Sequence, residues 1–396
     1  MTILANPRIP EAVRAVAADG TQLRYALMEM ARDMDDVIAL GRGDPDLPTP
    51  PHIVAAAERA MRDGLTGETP VPGMPQLRAA IAAHMRETNG LPIDADNVMV
   101  TTGGQEGLFL AVQAVIDPGD EILVPDPRYS SYDDAIRRAG GRMVMVPTKR
   151  EDAFNLEAEA VEAAITPATK ALLIVTPSNP TAGIVSEDRA RAIAEVCIRH
   201  NLIVIVDEIY GKIVYAPYEH FSIGSLPGMA ERTITLDAFS KAYAMTGWRC
   251  GYAAAPADVI GAMARIKQVT TGPVATVSQW AGLAAMTGPQ DCVSEYLAIY
   301  TERRRVLLDG LDSVGFAYGE PRGGLFVWAD SSSTGIHAAE LSYLLLQEGR
   351  VLIFPGTAFG EKWREYVRIT MLEPIETLRE AVSRMLPVIA RYRVGL

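Results

Sequence analysis

Seven short apolar runs, several of them separated by segments with helical spacing, constrain this chain more than any other feature. They lie at residues 97–101, 121–124, 142–146, 171–175, 203–206, 233–236 and 252–255. Each is too short for a buried helix and is bounded by Gly, Pro, Asn or Asp, which marks strands. Amphipathic segments at 107–116, 156–165 and 187–199 lie between several of them. Strand–helix–strand order, repeated, predicts an α/β fold: a mostly parallel sheet with helices on both faces. Such sheets bind ligands at the carboxyl ends of their strands.

The pattern changes near residue 288. A long helical stretch at 293–312 leads to a strand at 325–328, a helix at 338–348, short strands near 351–354 and 366–370, and a last helix from Ile375. This predicts a smaller α+β domain. A chain of 396 residues also exceeds what one hydrophobic core serves. The expected division is an N-terminal arm with part of the small domain over 1–45, a large domain over 46–287, and a small C-terminal domain over 288–396.

The formal net charge of -12 argues against nucleic acid or an anionic membrane as partner, since both require clustered Lys and Arg. Residues 1–20 lack the basic start and apolar run of a signal peptide, and no charge-free stretch is long enough to span a bilayer. The three cysteines, Cys197, Cys250 and Cys292, are scattered without metal spacing, so no metal site and a reducing compartment are expected. A cytoplasmic enzyme is the reading that follows.

Polar clusters follow the apolar runs. Phe239-Ser240-Lys241-Ala242 places a lysine just beyond one run, with Arg249 eight residues on. A lysine in a partly desolvated pocket loses basicity and can attack an aldehyde, and the arginine fork suits a phosphate. The run 203–206 ends in Asp207-Glu208-Ile209-Tyr210. An aspartate there can pair with a protonated ring nitrogen and keep the ring an electron sink; it can equally open a helix as an N-cap. Thr176-Pro177-Ser178-Asn179-Pro180 presents Asn179 on a stiff turn. Thr101-Thr102-Gly103-Gly104-Gln105 leaves backbone N–H groups free at a helix start, which suits a phosphate. Pro125-Asp126-Pro127-Arg128-Tyr129 adds a tyrosine able to stack on a flat ring or to fill the core.

The order and spacing of these pieces resemble the fold-type-I pyridoxal-phosphate enzymes, specifically the class I/II aminotransferases. The resemblance runs from Gly41-Arg42-Gly43-Asp44-Pro45-Asp46 to Arg368. It implies that Lys241 carries pyridoxal 5'-phosphate as a Schiff base and later moves the substrate proton. It implies that Asp207 pairs with the pyridinium nitrogen, that Tyr210 and Asn179 bond the ring oxygen, and that Tyr129 stacks on the ring. Gly103, Gly104, Gln105, Ser240 and Arg249 would surround the phosphate. Arg368, with Gly43 and Asn179, would hold the α-carboxylate of an amino acid or 2-oxo acid. A homodimer with shared active sites is implied as well. A pyridoxal-phosphate lyase on the same fold would use the same cofactor residues. A non-enzymatic regulator would need a DNA-binding module, for which the chain has no room before Gly41.

The chain departs from the family pattern in three places. Ala238 stands where Gly or Ser is usual, which removes one phosphate hydroxyl. Cys250 replaces an aliphatic residue or alanine. Glu68, in Gly67-Glu68-Thr69-Pro70, replaces the tyrosine that reaches the neighbouring subunit's phosphate, and a carboxylate there must turn away or meet a cation. Gln105 stands where members preferring dicarboxylates often have lysine, which leans the expectation toward a substrate that is not strictly dicarboxylic. Arg42 and Glu68 are the residues that the sequence offers for specificity, unless they pair with each other or face solvent.

Overall fold

A computed structural model describes residues 20–393, so residues 1–19 of the N-terminal segment expected over 1–45 lie outside the described residues. The strands are β1 (Ile38–Ala39), β2 (Val98–Thr101), β3 (Glu121–Asp126), β4 (Arg142–Pro147), β5 (Thr169–Val175), β6 (Ile203–Asp207), β7 (Thr233–Ala238), β8 (Gly251–Ala254), β9 (Ala317–Tyr318), β10 (Phe326–Asp330), β11 (Val351–Leu352), β12 (Phe354–Pro355) and β13 (Tyr366–Thr370). All seven apolar runs form one sheet, in the order β2-β8-β7-β6-β5-β3-β4. Only β8 runs against its neighbours.

Side-chain alternation shows why these runs are almost uniformly apolar. On β5, Ala171, Leu173 and Val175 enter one core cluster, while Leu172 and Ile174 enter another. On β6, Ile205 points one way and Val204 and Val206 the other. A parallel strand covered on both faces has no polar side. The helix Glu187–Arg199 covers one face through Ala190, Ile193, Ala194 and Cys197, spaced to fall on one stripe. The helix Gly104–Val115 covers the other through Leu108, Ala111 and Val112.

Several boundaries differ from the expectation by a few residues, two of them for a clear local reason. The helix expected over 156–165 spans only Ala158–Ala163. Pro167 disfavours helix before it, and the Thr169 hydroxyl accepts from the Thr166 N–H to close a turn. The strand expected from Asn97 starts at Val98, because Asn97 closes a capping box with Asp94.

The second core lies between a four-stranded sheet, β12-β13-β10-β9, and the helices Asp291–Val314, Ala338–Gly349 and Ile375–Tyr392. The chain joins this core early: β1 pairs in parallel with β11, Ile38 opposite Val351. The helix Gly20–Arg32 rests against the same region through Leu23 and Leu27, which cluster with Trp328, Phe354 and Phe359.

Candidate active site

The carboxyl edge of the large sheet gathers most of the polar clusters singled out above. Thr101, Asp126, Val175, Asp207 and Ala238 end β2, β3, β5, β6 and β7, so Gly103, Tyr129, Asn179, Tyr210 and Lys241 all begin from one edge. Arg249 reaches the same edge from the opposite direction. It precedes antiparallel β8, whose first residue Gly251 pairs with both Thr101 and Ala238. A cavity of about 390 Å³ lies over this edge. Gly43, Gly104, Gln105, Tyr129, Asn179, Asp207, Tyr210, Ser240, Lys241, Arg249 and Arg368 line it. Gly103 sits behind the wall, where a Cβ would lie 2.7 Å from an Arg249 guanidinium nitrogen.

Lys241 lies in the short helical turn Phe239–Ala242, and its Nζ donates to the Gly43 carbonyl at 2.6 Å. Burial lowers its pKa to about 8; the Asp44 and Asp207 carboxylates oppose that shift, and the Arg368 and Arg249 cations add to it. A substantial fraction of the amine is therefore neutral near physiological pH.

Asp207 has no cation bonded to it among the described residues. Its Oδ1 accepts from the Ile209 N–H at 3.2 Å, and the Tyr132 hydroxyl lies 3.4 Å from Oδ2. Burial raises its pKa to about 7, with Asp237 and Glu208 adding repulsion. Tyr210 is buried against Phe326, and burial pushes its phenol well up.

Arg368 comes from the other sheet. On β13, Val367 and Ile369 point into the second core, so Arg368 between them points the other way, into the cavity. It is 4% exposed. It donates to the Asn179 Oδ1 at 2.9 Å and to the Gly41 carbonyl at 2.7 Å, while its Nε has no partner. The rings of Phe326, Phe359 and Phe354 surround it. No carboxylate pairs with it among the described residues, and burial lowers its pKa to about 10. Gly43 lines the cavity and its carbonyl accepts from the lysine, while the Gly41 carbonyl accepts from Arg368.

Arg249 holds the left-handed conformation with φ of +51°. It donates to the Thr246 carbonyl at 3.1 Å and the Thr102 carbonyl at 3.4 Å. Its charge is thereby fixed beside the first turn of the helix Gly104–Val115, where backbone N–H groups also point outward. Glu106, in that turn, is tied back to the Thr102 N–H and to buried Lys267.

A model of the family described as aminotransferase class I and II matches residues 35–385. The chain belongs to that family. This aminotransferase is 37% identical over 371 residues to an aspartate aminotransferase of Pyrococcus abyssi, covering 93% of this chain and 95% of the relative. It is 36% identical to an aromatic-amino-acid aminotransferase of Thermococcus litoralis, over 93% and 95% of the two chains. The solved structure of an aromatic aminotransferase from Pyrococcus horikoshii superposes with a TM-score of 0.88 at 36% identity, over 93% of this chain and 99% of that one. The architecture is that of fold-type-I transferases. The aminotransferase moves an amino group from an amino acid to a 2-oxo acid, and these relatives do not favour the lyase alternative. Its family depends on pyridoxal phosphate. Among the described residues no helix is long and apolar enough to cross a membrane.

Sequence reading missed several residues of the aminotransferase cavity. Tyr132, behind Asp207, reads as an ordinary helical core residue. Arg24, Tyr25 and Met28 come from the helix Gly20–Arg32, where no motif flags them. Arg42 lines the cavity but is exposed. Glu68 is exposed and lies outside the cavity lining, on a loop held by Thr276 at the Gly67 carbonyl and by Gln279 at Thr69. Arg42 and Glu68 do not pair with each other.

Proposed function

We propose that the enzyme performs its amino transfer with pyridoxal 5'-phosphate held covalently on Lys241. One observation carries this reading: a single cavity is lined by a lysine of lowered pKa, a half-buried carboxylate that lacks a cation and a buried guanidinium that lacks an anion. The residues fit the group. A cationic ring nitrogen would relieve Asp207, and a phosphate would meet Arg249, Ser240, Gln105 and the N–H groups that Gly103 and Gly104 leave open. When bound, pyridoxal phosphate supplies a carbonyl that captures amines and a ring that takes up the electron pair released at the substrate's α-carbon.

The protein's own residues supply the rest. With the cofactor in place, Lys241 Nζ would be the group to accept the α-proton; its lowered basicity favours the neutral amine that can do so. Asp207 would hold the ring nitrogen's proton in place. Tyr210 would donate a hydrogen bond to the ring oxygen, with Asn179 beside it, and Tyr129 would pack against the ring. Arg368 grips the α-carboxylate with its planar fork and so places the α-hydrogen over Lys241. Asn179 orients that fork, and Gly43 seats the lysine. The proposed division of labour follows the expected domains: 46–287 for the cofactor, and 288–396 with 1–45 for the carboxylate end. A homodimer with shared sites, working in the cytoplasm, completes the proposal; sedimentation at twice the chain mass tests the dimer.

Borohydride reduction of the loaded enzyme followed by peptide mapping should label Lys241, and Lys241→Ala should lose amino transfer. Label on another lysine, or a fully active Lys241→Ala enzyme, would falsify the assignment.

A further inference from the structure

The cavity contains a second buried guanidinium for which the proposed chemistry has no use. Arg24 is 9% exposed. Among the described residues it makes no hydrogen bond and no ion pair, and its Nε is buried without a partner. The helix Gly20–Arg32 explains its direction. Leu23 and Leu27 anchor one stripe in the aromatic cluster around Phe354. Arg24 and Met28, four residues apart, lie on the neighbouring stripe and line the cavity with Tyr25. The Arg24 guanidinium lies 4.9 Å from the Tyr25 ring and 5.9 Å from that of Phe354.

Its position sets it apart from the phosphate end. Arg249 bonds Thr102 and Thr246, beside Gly103. Arg24 shares the Phe354 ring with Arg368, whose own guanidinium is 5.4 Å from the centroid. The Arg24 cation is one of the causes that lower the Arg368 pKa. Two guanidiniums at one end of a cavity repel, and each loses hydration without an anion to balance it. One α-carboxylate balances only one of them. Tyr25 and Phe354 flank the Arg24 guanidinium without accepting a hydrogen bond from it, so its N–H fork is available to a planar anion. Exposed Arg42 keeps its water and is the poorer candidate.

We propose that Arg24 binds a second carboxylate, carried on the side chain of the amino acid or 2-oxo acid, so that this aminotransferase prefers dicarboxylic substrates. This rests on the amino-transfer reading of the same cavity and replaces the leaning drawn from Gln105. Arg24 thereby fixes specificity, while Arg368 serves every substrate.

The test compares loaded wild type, Arg24→Met and Arg24→Lys in half-reactions with aspartate, asparagine, alanine and phenylalanine, followed by cofactor absorbance. Binding of two inert ligands, succinate and butyrate, is measured beside them. Wild type should favour aspartate over its neutral isostere asparagine. Arg24→Met should lose roughly a hundredfold in kcat/KM for aspartate and in succinate affinity, the scale for truncating one side of a buried charge pair. Alanine, asparagine and butyrate should change by less than about threefold, and Arg24→Lys should restore part of the aspartate preference. Equal losses on all four amino acids would place Arg24 on the α-carboxylate and overturn the inference while leaving amino transfer intact. A wild type that turns over asparagine or alanine as well as aspartate would overturn it too, as would loss of the aspartate preference in Arg42→Ala but not in Arg24→Met. A loaded wild type that converts no amino acid would overturn the amino-transfer reading along with it.

Discussion

Asp207 is charged or neutral according to what lies beside it. Its folded pKa of about 7 is raised above the ordinary aspartate value by burial. The neutral form is therefore the one that the ligand-free fold favours. Stability from this group is fully present below about pH 4, the unfolded value, and is lost as pH rises toward 7. Asp207→Asn should remove that dependence. Urea unfolding of ligand-free protein should show the variant more stable than wild type at pH 8 by a few kcal/mol, roughly the cost of a shift this large. The gap should narrow by pH 5, and the variant should lose amino transfer. A variant less stable than wild type at pH 8 would count against the unrelieved carboxylate. The residue itself was legible, because two carboxylates ending an apolar run are conspicuous. Lys241, Asn179 and Arg368 were legible in the same way, each just past or within a strand-like run. Arg24 was not. Its meaning lies in lacking a partner, and a sequence does not show which charges remain unpaired after the chain has folded.

At the scale of the element, the turn from β2 into the helix Gly104–Val115 carries the proposed phosphate site, and its two glycines are not equivalent. Gly103 has φ of +77° and no room for a Cβ, while a Cβ on Gly104 would make ordinary contact with Ile209 at 3.4 Å. Gly103→Ala should strain the backbone by about 1 kcal/mol and push Arg249 aside, weakening pyridoxal phosphate binding about tenfold or more. Gly104→Ala should bind within about threefold of wild type. Equilibrium titration of the cofactor by fluorescence would read both, and equal losses in the two variants would contradict the geometry. The long strands of the large sheet could be read from sequence, since burial on both faces leaves them uninterrupted. The two-residue strands β1 and β9 could not, and β11 and β12 read only as one stretch near 351–354. They are too short for a period to show, and the Ile38–Val351 pairing joins segments from opposite ends of the chain. The antiparallel course of β8 was equally hidden, because its composition matches that of its parallel neighbours. Yet that course brings Arg249 to the shared edge.

Across the whole molecule, the cavity is assembled from two sheets with separate cores. Asp207 and Lys241 belong to the large one, and Arg368 to the small one. Many direct ties cross between these parts. They include the forked pairing of Arg303 with Asp46 at 2.6 and 2.8 Å, and Trp363 donating to Asp126 at 2.7 Å. An amino acid bridging Lys241 and Arg368 would add another, so substrate should favour closer apposition of the two parts. The unmatched polar groups of Asp207 and Arg368 have a cellular consequence as well. Until a cofactor and a substrate arrive, the protein carries their desolvation cost unrelieved, and a ligand that binds only the native state shifts the folding balance by mass action. Newly made chains without vitamin-derived cofactor would open more often and be cleared sooner, since small stability differences change abundance several-fold. The level of this enzyme would then follow the supply of pyridoxal phosphate without any change in synthesis. Limited proteolysis with and without the cofactor, at one pH and temperature, reads this directly: equal cleavage rates would mean that the empty site costs the fold nothing.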